Sequence, residues 1–95
     1  MKYKVWHDKD PSFMKQRDFN GDNFDFVAAV DCEVIDEVFA LTNHITHDWT
    51  TNEGVTTADG RNGHNTRSTS VGDIVIDGDG TAFYVAAWGW DKVQV

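Results

Sequence analysis

Hydrophobic and polar positions alternate in three parts of the chain, and each part predicts β structure. Near the start, Tyr3, Val5 and His7 alternate with Lys2, Lys4 and Trp6, which is the period-2 pattern of a strand with two unlike faces, here over 2–7. From Phe24 the alternation returns, with Phe24, Phe26, Ala28 and Val30 on one side and Asp25, Val27 and Ala29 on the other. In the last third, Val71, Ile74 and Ile76 precede Asp77-Gly78-Asp79-Gly80, and Phe83, Val85 and Ala87 alternate with Tyr84 and Ala86. Two β-rich runs joined by Gly and Asp predict a hairpin, because glycine reaches the positive φ values that tight turns need. Trp88-Gly89-Trp90 then bends the chain, and residues 92–95 form a last short strand.

Between the second and third of these regions the period changes. Val34, Ile35, Val38, Phe39, Leu41 and Ile45 repeat at helical spacing and predict a helix over 32–43. Asp31 is placed to cap its first turn, where backbone N–H groups lack partners, and Glu33, Asp36 and Glu37 put negative charge at the positive end of the helix. Asn43 is the expected stop.

The connections are polar. Asp8-Lys9-Asp10-Pro11-Ser12 ends the first strand, since Pro11 lacks an N–H and pushes Asp10 away from helical geometry. A surface loop is expected over 8–22, with a turn of helix at 12–16. Residues 44–66 carry the turn dipeptides Asp59-Gly60 and Asn62-Gly63. Trp49 and Val55 are placed to pin this long segment to the core, with Val55-Thr56-Thr57 as a candidate short strand. Neither an internal repeat nor a linker divides the chain. The expectation is one α+β domain over 1–95: a small antiparallel sheet of four or five strands with one principal helix packed on one face.

Ninety-five residues allow one modest core, in which roughly 60–65% of the unfolded chain's surface is buried. An apolar content of 40%, with four Trp, is too high for a disordered tail. The single cysteine, Cys32, excludes an intramolecular disulfide and a thiolate zinc cluster. With no apolar leader-like run and no apolar stretch of about 18 residues, the reading is an intracellular protein, cytoplasmic in its host, that engages no membrane.

The net charge of −8 excludes nonspecific attraction to nucleic acid or to anionic membranes. Its distribution is more informative. No Lys or Arg stands between Arg17 and Arg61, whereas Asp18, Asp22, Asp25, Asp31, Glu33, Asp36, Glu37, Asp48, Glu53 and Asp59 all fall in that window.

One stretch looks familiar. Arg67-Ser68-Thr69-Ser70-Val71-Gly72-Asp73-Ile74-Val75, then a turn, Phe83-Tyr84-Val85 and Gly89-Trp90-Asp91-Lys92-Val93, resembles the YodL-like domain family. Upstream, Asp36-Glu37-Val38-Phe39-Ala40-Leu41-Thr42-Asn43 resembles that family's short helix ending in Asn. Trp90, where Phe is usual, and Gly72, where a second serine is common, depart from the pattern. The resemblance covers about half the chain and implies a small accessory protein of phages, plasmids and mobile elements, without an established enzymatic activity.

Candidate chemistry is sparse. Arg67, Ser68, Ser70 and Asp73 offer an arginine fork and hydroxyls suited to a carboxylate or phosphate, against a structural reading in which they satisfy backbone groups of a turn. With Trp90 added, Arg67 and Ser70 make a candidate ligand site. His44-Ile45-Thr46-His47-Asp48 supplies a loose His pair but not the three or four convergent ligands that zinc needs. Asp77-Gly78-Asp79-Gly80-Thr81 opens like a calcium loop, but Trp88 occupies the twelfth position, where a bidentate Glu is required; counted from Asp18, Ala29 stands there. Cys32 lies by a helix start that would lower its pKa and beside Asp31 and Glu33, which would raise it. No nucleophile elbow, phosphate loop or HExxH motif occurs, so neither an enzyme nor a cofactor or metal is expected.

The acidic window therefore carries the functional expectation: a noncatalytic accessory protein that binds a host protein through Asp22, Asp25, Asp31, Glu33, Asp36 and Glu37. A nucleic-acid-binding protein is one candidate partner, since carboxylates on a protein face can compete with duplex phosphates for a basic site, as a DNA mimic aimed at a restriction or defence nuclease would. A ligand site at Arg67, Ser70 and Trp90, a self-assembling structural protein and a merely solvated acidic surface are the alternatives.

Overall fold

The computed structural model describes residues 2–9, 24–43, 49–58, 67–86 and 89–93. Among these residues there are six strands, β1 (Lys2–Asp8), β2 (Phe24–Asp31), β3 (Val55–Thr57), β4 (Ile74–Ile76), β5 (Ala82–Ala86) and β6 (Gly89–Val93), an α-helix α1 (Ile35–Leu41) and a short 3-10 turn at Trp49–Thr51. The strands form one antiparallel sheet in the order β3-β2-β1-β4-β5-β6. The α+β expectation holds at that level, but the sheet is larger than the four or five strands expected. Val55-Thr56-Thr57 pairs with β2, and the final strand begins at Gly89 rather than at residue 92. The expected helical turn at 12–16, the His44 to Asp48 cluster, the Asp59-Gly60 and Asn62-Gly63 turns, and Asp22 lie outside the described residues.

β1 is central, paired to β2 on one side and to β4 on the other. Its alternation divides the apolar residues between two clusters. Tyr3 and Val5 join Val27, Ala28, Val30, Val38, Trp49 and Val75 in the first, with Ile35, Leu41 and Trp90 packed against it. Trp6 packs against the second, made of Phe24, Ile74, Ala82 and Tyr84.

The sequence reading put Phe24, Phe26, Ala28 and Val30 on one side of β2, and the structure corrects this. Val5 pairs with Ala28 but Trp6 pairs with Phe26, so Val27 is an extra residue in a β-bulge. The bulge resets the alternation. Val27 and Ala28 both enter the first cluster, while Phe24 goes to the second and the Phe26 ring lies 5.3 Å from that of Trp6. A bulge leaves no mark on an unbroken apolar alternation, which is why these phenylalanines were misassigned.

α1 is shorter than the 32–43 expected, and Asp31 does not cap it. Asp31 is still in β2, paired with Lys2, and its N–H donates to Gly54 O at 2.8 Å. Val34 occupies the cap position without a side-chain bond. The other end is well satisfied: Thr42 hydroxyl donates to Val38 O at 2.8 Å, the Asn43 amide donates to Phe39 O, and Asn52 donates to Leu41 O at 2.7 Å. The expected stop at Asn43 is thus one residue past the observed cap at Thr42.

The β4–β5 hairpin forms as expected. Asp77 Oδ1 accepts from the N–H groups of Asp79 at 2.9 Å and Thr81 at 3.0 Å, and Gly80 takes φ +86°. The first carboxylate of the calcium-like motif is therefore engaged in its own turn. At the sheet's two ends, β3 is only three residues long and β6 exposes Asp91 and Lys92, features that discourage edge-to-edge pairing.

Candidate functional site

Two groups of charged residues stand apart, one buried and one exposed. The buried group gathers where β1 ends and the chain enters β4. Asp73 is fully buried, and its two oxygens accept four hydrogen bonds: Oδ1 from Asp8 N–H at 2.9 Å and Arg67 Nη2 at 2.7 Å, Oδ2 from Ser70 N–H at 2.8 Å and Arg67 Nη1 at 2.6 Å. Arg67 Nη1 also donates to Ser68 O at 3.0 Å and to the Ser70 hydroxyl at 3.1 Å, and Nη2 donates to Asp8 O at 3.3 Å. The hydrogen-bonded Asp73 carboxylate raises the Arg67 pKa above its ordinary value. This is the bidentate geometry in which Arg and carboxylate interact most strongly.

Around that pair the rest of the fold is tied in. His7 Nε2 shares a 2.9 Å hydrogen bond with the Thr69 hydroxyl and lies 3.8 Å from Asp73 Oδ2. Thr69 N–H donates to Thr42 O at the end of α1, at 2.8 Å, and the buried Trp49 donates its indole N–H to Arg67 O at 3.1 Å. Gly72 lets the chain turn from Ser70 into β4. It has φ +102°, a value side-chain-bearing residues avoid, and Asp73 N–H closes the turn on Ser70 O at 3.1 Å. Glycine at this place, where the resembled pattern commonly has serine, has that backbone reason.

The structure brings Arg67 and Ser70 together but occupies both with internal partners. Trp90 belongs to another group, its indole N–H donating to Asp36 Oδ1 at 3.0 Å. His7 and Asp8 are the members of the buried node that sequence reasoning missed. The available signal was that His7 continues the inward parity of Tyr3 and Val5.

The exposed group lies at the junction of β2 and α1. Asp31, Glu33, Glu37 and Glu53 line an open groove of about 700 Å³ together with Cys32, Leu41 and Gly54. Three segments supply it: the end of β2, the start of α1 and the approach to β3. Gly54 makes this possible. Its φ is +84°, and a Cβ built there would lie 2.9 Å from Asp31 O. Glu53, in the acidic window but not among the expected binding residues, joins the groove from the approach to β3. Burial first and the Glu37 charge next push the Cys32 thiol above its usual pKa, and its Sγ lies 3.3 Å from Val34 O. That favours the thiol over the nucleophilic thiolate.

The remaining acidic candidates are placed elsewhere. Asp25 pairs across the sheet with His7, whereas Asp31 pairs with Lys2, six residues along β2, or about 20 Å away. Asp25 Oδ1 lies 3.9 Å from Lys9 Nζ, with both side chains nearly half exposed. Asp36 faces a second, smaller cleft with Phe39 and Trp90. Among the described residues no three His, Cys, Asp or Glu side chains are grouped to hold a metal ion, and no helix is long and apolar enough to cross a membrane.

Comparison of the chain with protein-family models, with curated proteins and with solved structures finds no match.

Proposed function

We propose that this chain is a noncatalytic accessory protein, of the kind the YodL-like resemblance implies for phages and mobile elements, which acts in the host cytoplasm by binding a host protein through its acidic groove. The observation that supports this reading is the convergence of Asp31, Glu33, Glu37 and Glu53 from three segments on one open surface. Asp31, Glu33, Glu37 and Glu53 are exposed, and Glu33, Glu37 and Glu53 form no ion pair among the described residues. Carboxylates lining one open surface give it a negative potential, which steers a basic partner toward it.

In this reading α1 rests on the sheet face that carries the first apolar cluster, through Val38, Ile35 and Leu41. That arrangement holds Glu33 and Glu37 outward. The buried Arg67–Asp73 node serves the fold, and the groove serves the partner. The partner's complementary surface is basic, which includes the basic sites of nucleic-acid-binding proteins.

The test is affinity capture from the native host at low and at high salt. A partner recovered at low salt and lost at high salt is expected, because exposed charges are screened beyond about 8 Å at physiological ionic strength. Recovery of no partner at low salt, or of one indifferent to salt, would count against the reading.

A further inference from the structure

The smaller cleft, which like the groove draws part of its lining from α1, has a different chemistry, and the inference drawn from it rests on the acidic-surface reading above. It holds about 240 Å³ and is lined by Asp36, Phe39, Val85, Ala86, Gly89 and Trp90. That is below the roughly 300–1,000 Å³ of pockets that enclose whole small-molecule ligands, so it suits a single side chain. Two aromatic rings and two aliphatic side chains make its walls apolar, and Asp36 sets one carboxylate at the rim. Phe39 is 40% exposed, so its ring can be reached from solvent. Trp90 is held in place by its 3.0 Å hydrogen bond to Asp36 Oδ1.

A carboxylate beside two aromatic rings selects a cation with a flat or apolar body. Aromatic faces attract such a cation through their quadrupole, and guanidinium is the side-chain cation that stacks best on them. The surroundings have the complementary charge, since Glu37 follows Asp36 in α1 and the chain carries net −8. We propose that this cleft receives an arginine side chain of the partner protein, its guanidinium meeting the Asp36 carboxylate and its plane lying against Trp90 or Phe39. The groove then supplies steering and the cleft supplies the anchor.

The indole N–H of Trp90 is a direct reporter. In ¹H–¹⁵N spectra of the full chain, titration with the peptide acetyl-Gly-Arg-Gly-amide is expected to shift the Trp90 indole resonance, while the uncharged citrulline counterpart leaves it in place. Asp36→Asn keeps an oxygen acceptor for Trp90 but removes the charge, and Phe39→Ala removes one ring. Each is expected to weaken the arginine response by about two- to fivefold, the range expected for one exposed contact of this type. Equal shifts with both peptides would overturn the proposal, as would variants that bind like the wild type. Shifts confined to Glu33, Glu37 and Glu53 would overturn the cleft while supporting the groove, and no shift at either place would count against both.

Discussion

At Asp73 a fully buried carboxylate accepts four hydrogen bonds and faces an arginine fork. At the start of α1, Glu33 and Glu37 stand in solvent, and with Glu53 they make no ion pair among the described residues. The same functional group therefore does two jobs, and the difference lies in what surrounds it. A buried charge tolerates no missing partner, so the node joins β1, the end of α1 and the entry to β4 into one unit. An exposed acidic cluster contributes little to the fold, and its charge stays in solvent, where the proposed partner would meet it. Arg67 and Ser70, offered by the sequence as an alternative ligand site, are thus engaged within the fold.

The comparison breaks first at Asp73. Asp73→Ala leaves the buried N–H of Asp8 and the N–H of Ser70 without their acceptor and the Arg67 guanidinium without its counter-charge. Because the Arg67 side chain is 36% exposed and water can reach it, the expected cost is about 2–3 kcal/mol, less than for a fully buried pair. Urea denaturation reads this directly; a midpoint near that of the wild type would show that the node does not hold the fold.

Next in size is Gly54→Ala, which strikes the groove through its backbone. Left-handed geometry alone costs roughly 1–2 kcal/mol, and the 2.9 Å approach to Asp31 O adds to it. Gly72→Ala, with φ +102° but nothing within 4 Å of the added Cβ, pays only the conformational part. Thermal melts should rank Gly54→Ala below Gly72→Ala, and the reverse order would remove the tight β2–β3 approach from the account.

How much of this was legible in the sequence depends on the range of the interaction. β1, the β4–β5 hairpin and the body of α1 follow from local period and turn chemistry, and all three were read correctly in outline. The bulge at Val27 was invisible because a one-residue insertion inside an apolar run changes which face a side chain takes, not whether it is apolar. The helix start was misplaced because Asp31 is as good a strand end beside Lys2 as it is a cap. The Arg67–Ser70–Asp73 constellation was seen, but its partners His7 and Asp8 lie about sixty residues away in the chain. Glu53 joined the groove only through the Gly54 contact, which no local pattern announces.

A smaller effect separates the buried from the exposed groups by pH. Burial first, then the negative charges of Cys32, Asp77 and Glu37, raise the Tyr3 pKa above its ordinary 10.0. The folded state then keeps a proton that the unfolded chain releases. This contribution is complete below pH 10 and is lost as pH rises from there through the raised folded value. Cys32, also raised, from 9.0, acts in the same direction and begins earlier. In a Cys32→Ser background, Tyr3→Phe is expected to flatten the fall in unfolding free energy above pH 10; an unchanged slope would show that the phenol is not the group concerned.

The most direct test of the division between node and groove is the paired charge reversal Glu33→Lys with Glu37→Lys, taken through both denaturation and affinity capture from the host. Both positions are exposed, so stability should stay within about 0.5 kcal/mol per substitution, while the salt-sensitive partner recovered by the wild type is lost. A reversed protein that unfolds at the same denaturant concentration and still captures that partner would contradict the account.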